Sequence, residues 1–246
     1  KDQTAIRAKH EAEWAQEDGV RVRTSGGLSD SWTNRNYDPE GLWAYQPLQE
    51  STVPSSHNNP IDGFLQAALP KGLQVALPAL RRDLIRRATF DLTGLPPTPD
   101  EVKAFLNDER EDKEAFQDVV ERLLASPHYG ERMAQHWLDV VRYAESMSLR
   151  SRLLKHAWRY RDYVIEAFND DLPYDQFLRQ QLAGDLLEET SVDAQRRNLI
   201  ATTYLLMGDA LLENQDKSQL DMDYVDEQLD AIGQGLLAQT IACARC

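Results

Sequence analysis

The chain is short of the features that usually announce a function. Only two cysteines occur in 246 residues, Cys243 and Cys246. Without a second pair of ligands at similar spacing, a zinc ribbon is excluded. No apolar run approaches the roughly 18 residues of a spanning helix, and the longest, near Leu236 to Ala244, is interrupted by Gln239 and Thr240. Basic residues are outnumbered 27 to 41, for a net charge of −14. That balance argues against a surface that tracks nucleic-acid phosphates or an anionic membrane. No alternating β-branched run and no fixed-period repeat is present. A Walker loop, a dinucleotide fingerprint, a G-x-S-x-G elbow and an H-E-x-x-H helix are all missing, which removes many nucleotide-binding and hydrolytic classes.

What remains is a globular mixture, 41% hydrophobic and 28% charged, able to bury a core. Thr4 to Glu17 has the sparse apolar spacing of a surface helix. Asp18 to Asn59 is rich in Gly, Ser, Asn and Pro, with Trp32, Tyr37, Trp43 and Tyr45 along it. It reads as an extended arm pinned by its aromatics rather than as a sugar-binding strip. From Pro60 the pattern turns helical and stays so. Thr98, Pro99 and Glu101 form a capped helix start. Met133, Trp137, Val140 and Ala144 make an apolar stripe, with Arg132, His136, Asp139 and Tyr143 sharing another face. Helices are also expected over Trp158–Phe168, Tyr174–Leu187 and Leu199–Met207. A last one carries Val225, Leu229, Ile232 and Leu236, where Gly233 and Gly235 permit close approach. The expectation is an all-α, multi-helix domain over residues 59–246 with an extended N-terminal arm over 1–58.

Candidate chemistry is sparse. Glu145 and Asp185 each lie beside a helix end, where a carboxylate can reach a cleft, and are the acids to test as an acid/base pair. Structural ion pairing is the competing reading for both. His128 and His136 are isolated, and such histidines are more often hydrogen-bonded side chains than ligands. Asp216, Asp221, Asp223, Asp226, Glu227 and Asp230 form a dense acidic group that lacks EF-hand spacing, so helix-end electrostatics outweighs calcium binding. Arg81, Arg82, Arg86 and Arg87 are the one basic cluster, read as ion-pairing. The C-x-x-C itself fits a disulfide, a dithiol, half of a zinc site or the two thioether positions of a c-type haem. Its spacing does not choose among them.

The strings RRDLIRRATFDLTGLPPTPDEV, LLASPHYGERMAQHWLDVVRYAES, AWRYRDYVIEAFNDDLPYDQFLRQQLAGDLL and DEQLDAIGQGLLAQTIACARC do point somewhere. Together with NPIDGFL they closely resemble the planctomycete-specific cytochrome-associated domain of unknown function, the second of its set, over about Trp43 to Cys246. The resemblance implies a large exported bacterial protein, periplasmic or extracellular. Other domains of that protein would be its partners: a c-type cytochrome domain upstream, a partner domain downstream and carbohydrate-binding modules nearby. It also implies haem c on Cys243 and Cys246, with the proximal histidine directly after Cys246. This chain ends before that histidine, which reads as a domain cut short at its C-terminus. Met147, Met207 and His136 are the substitute axial ligands to consider. Electron transfer to a redox partner, linked to polysaccharide use, is therefore the leading expectation. Two alternatives stay open: a glycan-processing enzyme using Glu145 and Asp185 with the cysteines as a structural disulfide, and a non-catalytic scaffold. Neither nucleic acid nor a membrane span is expected, and whether the chain is an enzyme is left open.

Overall fold

A computed structural model describes residues 20–23, 34–37, 41–54, 59–147, 152–207 and 216–241. The fold is all-α: nine α-helices occur among the described residues, with two short two-stranded ladders as the only extended pairing there. The chain divides into two compact units, 1–76 and 77–246.

In the first unit β1 (Val20–Arg23) pairs antiparallel with β2 (Asn34–Tyr37), Val20 opposite Tyr37. The arm thus contains a hairpin-like ladder that no alternation in its sequence announces. A 3-10 turn over Trp43–Tyr45 follows, and then α1 (Pro60–Ala67), with Pro60 at its first turn and the Asn59 side chain accepting from the Ile61 N–H. Ile61 and Leu65 face solvent. The helix expected over Thr4–Glu17, and Trp32, lie outside the described residues.

The second unit begins with α2 (Arg81–Thr93), α3 (Pro99–Leu106) and α4 (Asp112–Leu124). The Thr98 capping box is formed, its hydroxyl accepting from the Glu101 N–H while the Glu101 carboxylate accepts from the Thr98 N–H at 2.7 Å. These three helices enclose a small core of Ile85, Phe105, Ala115, Val119 and Leu123.

α5 (Pro127–Val140) starts six residues before Met133, the first residue of its stripe, because Ser126 caps it and Pro127 takes the first helical position. α6 (Trp158–Asn169) packs along it. Their approach is close at Gly130, where a Cβ would stand 2.6 Å from the Asn169 side chain and collide with the Ile165 carbonyl. α7 (Tyr174–Ala183) is shorter than expected and gives way to a 3-10 turn over Gly184–Leu186. α8 (Val192–Ala201) opens on a Ser191 cap and continues as a 3-10 turn over Thr202–Leu206. α9 (Lys217–Leu237) is capped by Asp216. A second, larger core lies among α5 to α9: Tyr160, Tyr163, Val164, Phe177 and Tyr204 are buried, and Trp137 packs against them. Of the predicted stripe on α9, Ile232 and Leu236 pack against this core, whereas Val225 and Leu229 are half exposed. Asp230, Ala231 and Gly233 turn inward beside them, where Tyr204 donates to the Ala231 carbonyl at 2.6 Å and fills the space over Gly235.

Three described helices end on a non-glycine residue in the left-handed region: Arg142 (φ 57°), Asp171 (φ 49°) and Ala238 (φ 52°). At two of them the closure is a complete Schellman motif. Tyr143 N–H donates to the Leu138 carbonyl and Arg142 N–H to Asp139; Leu172 N–H donates to Ala167 and Asp171 N–H to Phe168. Glycine is the usual occupant of such a position, since an L-side chain there costs about 1 kcal/mol.

Candidate functional site

The C-terminal end of α9 sets up the approach to the cysteine pair. Ala238 takes the left-handed conformation, the Gln239 N–H donates back to the Gly233 carbonyl at 3.0 Å, and the Ile241 side chain closes over Gly233, where a Cβ would stand 3.1 Å from it. Cys243 and Cys246 lie outside the described residues. The last described residue before them, Ile241, is half-buried and tied to the helix.

The helix itself is clasped from the far side. Arg142, aimed by its left-handed backbone, reaches α9 and pairs with Glu227 at 2.6 Å and with Asp230 at 3.7 Å. Asp230 is buried, and its Oδ2 accepts from Gln234 at 2.5 Å while Oδ1 has no partner among the described residues. Glu227 and Asp230, read from sequence as part of an acidic group, therefore serve an inter-helix ion pair. Among the described residues no set of three or more His, Cys, Asp or Glu is placed to hold a metal ion.

The two candidate carboxylates occupy separate settings. Glu145 lies exposed in the segment after α5, held to two partners: the Tyr143 hydroxyl donates to it at 2.9 Å and the Arg161 guanidinium at 3.1 Å. Its backbone carbonyl accepts from Leu154, beside the two-residue ladder of β3 (Ser146–Met147) and β4 (Arg152–Leu153). Burial, and then the hydrogen bond to Glu145, push the Tyr143 phenol up to about 12. Asp185 sits exposed in the 3-10 turn Gly184–Leu186, beside a shallow depression shared with Glu189, Gln195 and Leu199.

The other candidates disperse as well. Met207 is 6% exposed within the aromatic core, so its sulfur would have to leave that core to meet an iron. His136 is exposed on α5, and His128 contacts Glu131 at 2.7 Å. Met147 lies in β3. Arg81 is consumed by structure, bonding to Asp112 and to the carbonyls of Phe105, Asp108 and Arg110. Arg82 and Arg86 instead border an open apolar-floored cleft of about 780 Å³ with Phe90 and Leu106.

Sequence reasoning missed the polar network of the larger core. Trp137 Nε1 donates to Gln181 Oε1 at 2.9 Å and to the Tyr160 hydroxyl at 3.1 Å, and that hydroxyl donates to the same Oε1 at 2.5 Å. Two donors converging on one oxygen fix the amide orientation, which leaves Gln181 Nε2 buried with no partner among the described residues. Burial raises the Tyr160 and Tyr163 phenols far above their ordinary value and Tyr204 to about 12, so all three stay neutral donors. Also missed was a cleft of about 340 Å³ at the turn between α6 and α7, rimmed by Asp171. The Asp-Leu-Pro string there reads simply as a helix break.

Comparison with known proteins adds one finding. Residues 60–246 match the family model PSCyt2, described as a protein of unknown function (DUF1549). No curated protein and no solved structure matches. With most of its length covered, the chain belongs to the PSCyt2 family.

Proposed function

We propose that this PSCyt2 member is the helical module of a larger exported bacterial protein and presents Cys243 and Cys246 for covalent attachment of a c-type haem. Electron transfer in support of polysaccharide degradation is the role that follows. The observation that carries this reading is the anchored turn Ala238–Ile241, fixed to α9 by the Gly233 carbonyl and the Ile241 contact. A thioether pair works only if its haem is held at a defined place, and here the C-A-R-C begins two residues beyond a packed side chain. The haem would supply one-electron redox chemistry. This chain's contribution is to position it, through the Arg142 clasp on α9 and the short tether beyond Ile241. Met207, buried as it is, does not fit an axial role.

The test is expression of the full-length protein that carries this chain together with cytochrome-maturation machinery. A Soret band and the mass of covalently bound haem are expected, both lost in the Cys243→Ser, Cys246→Ser double variant. A colourless wild-type product with unmodified cysteines would overturn the reading.

A further inference from the structure

The cleft at the α6–α7 turn has a chemistry of its own. Its wall is aromatic: Tyr129, Trp137, Phe168, Tyr174 and Phe177 line it, and its polar surface is minor. The rings are braced from behind. Phe177 is 5% exposed and touches Trp137 edge-on at 5.0 Å, Tyr163 at 6.0 Å and Phe168 at 6.0 Å between ring centroids. The Trp137 indole is fixed by its donation to Gln181 and Tyr160. A wall so held is preorganised, and a guest need not pay to order it.

On the rim sits Asp171, exposed, with no hydrogen bond or ion pair to its carboxylate among the described residues. Its neighbour Asp170 is by contrast taken by Arg197 at 2.9 Å. The Schellman closure holds Asp171 at φ 49°, where glycine would be less strained.

A cleft lined mainly by aromatic rings beside an uncompensated carboxylate is complementary to an organic cation, which gains both ring quadrupole attraction and charge pairing. The net charge of −14 raises the local concentration of cations further. A sugar would ask for several polar partners, and the cleft offers chiefly rings. We propose that the cleft binds a small organic ammonium ion such as a trimethylammonium group. This proposal does not depend on haem attachment to the cysteine pair.

Calorimetric titration of the full chain with choline and with tetramethylammonium tests the proposal, with 3,3-dimethylbutanol as the uncharged isostere of choline. Saturable binding of both cations is expected, with the isostere weaker by roughly tenfold or more. Asp171→Asn, which keeps a residue tolerant of the left-handed backbone, should weaken cation binding by about tenfold while circular dichroism stays unchanged. Tyr174→Ala, at a half-exposed ring, should weaken it by a similar factor. Absence of saturable binding, equal binding of the isostere, or an unchanged affinity in Asp171→Asn would each overturn the proposal. So would a response to oligosaccharides with none to ammonium ions.

Discussion

The two cores of the second unit satisfy their polar groups in opposite ways. In the small core of α2 to α4, the buried hydroxyls of Thr89 and Thr93 donate to carbonyls four residues back in their own helix, both at 2.7 Å. In the larger core, Trp137 and Tyr160 bond to the side-chain carbonyl of Gln181 across α5, α6 and α7. Local bonds of the first kind form with the helix and demand nothing of its neighbours. Bonds of the second kind exist only when three helices stand in one register, so they specify the arrangement as well as stabilise it. The small core is completed at its surface, by the Arg122–Glu101 pair, the Arg110–Asp108 pair and the carbonyls gathered by Arg81. The candidate cleft, the α9 clasp and the approach to the cysteines all belong to the cross-bonded side.

Ile85→Ala should be the most damaging change, because the side chain is fully buried in a core with few partners to collapse inward. A loss of about 3 kcal/mol is expected in urea unfolding. If the two cores are separable, hydrogen exchange will accelerate across α2 to α4 while α5 to α7 keep their protection. Uniform acceleration would show that they melt as one.

The paired variants Tyr160→Phe and Thr89→Val probe the contrast itself. Removing the Tyr160 hydroxyl should cost about 1 kcal/mol, since a shared cross-helix acceptor loses one of its two donors. Removing the Thr89 hydroxyl should cost less than about 0.5 kcal/mol, since a helix-interior carbonyl keeps its main-chain partner. Equal losses in thermal or urea melts would erase the distinction.

The smallest effect is expected in acid. Hydrogen bonds from the Arg110 side chain, and next from its backbone, hold the Asp108 carboxyl down to about 2 from an ordinary 3.8. A group whose folded value is lowered contributes stability above its unfolded value and loses it as pH falls through the folded one, here between 3.8 and about 2. Asp108→Asn should flatten that part of the pH–stability profile. High salt should shrink the difference, because the pair is accessible to water.

Much of the helical plan was legible in the sequence where it rests on local chemistry. Thr98–Pro99–Glu101 announces α3, and Asp-Leu-Pro before Tyr174 announces the α6–α7 turn. Legibility failed where the deciding partner lies far along the chain. On α9 the apolar stripe packs only at Ile232 and Leu236, and the inward turn of Asp230 and Ala231 depends on Arg142 and Tyr204, far off in sequence. The start of α8 at Ser191 was hidden because its first turns carry mostly polar residues. Arg142 as a helix terminator was invisible, and so was the left-handed conformation of Asp171 within the expected break, since the usual signal for such a close is glycine. Glu145 and Asp185 were selected for proximity to helix ends, a criterion blind to the Arg161 and Tyr143 partners that Glu145 meets.

The Arg142 clasp has a consequence in time as well as in space. It joins residues 85 apart in sequence, and closing so long a loop is entropically costly unless the intervening helices have already packed and shortened the path. By this argument α9 is expected to dock after α5 to α8 and to detach before them. Whatever is attached beyond Ile241 would be secured late in the maturation of the chain, after α5 to α8 are in place. Amides of α9 found as slow to exchange as those of α6 would speak against that order.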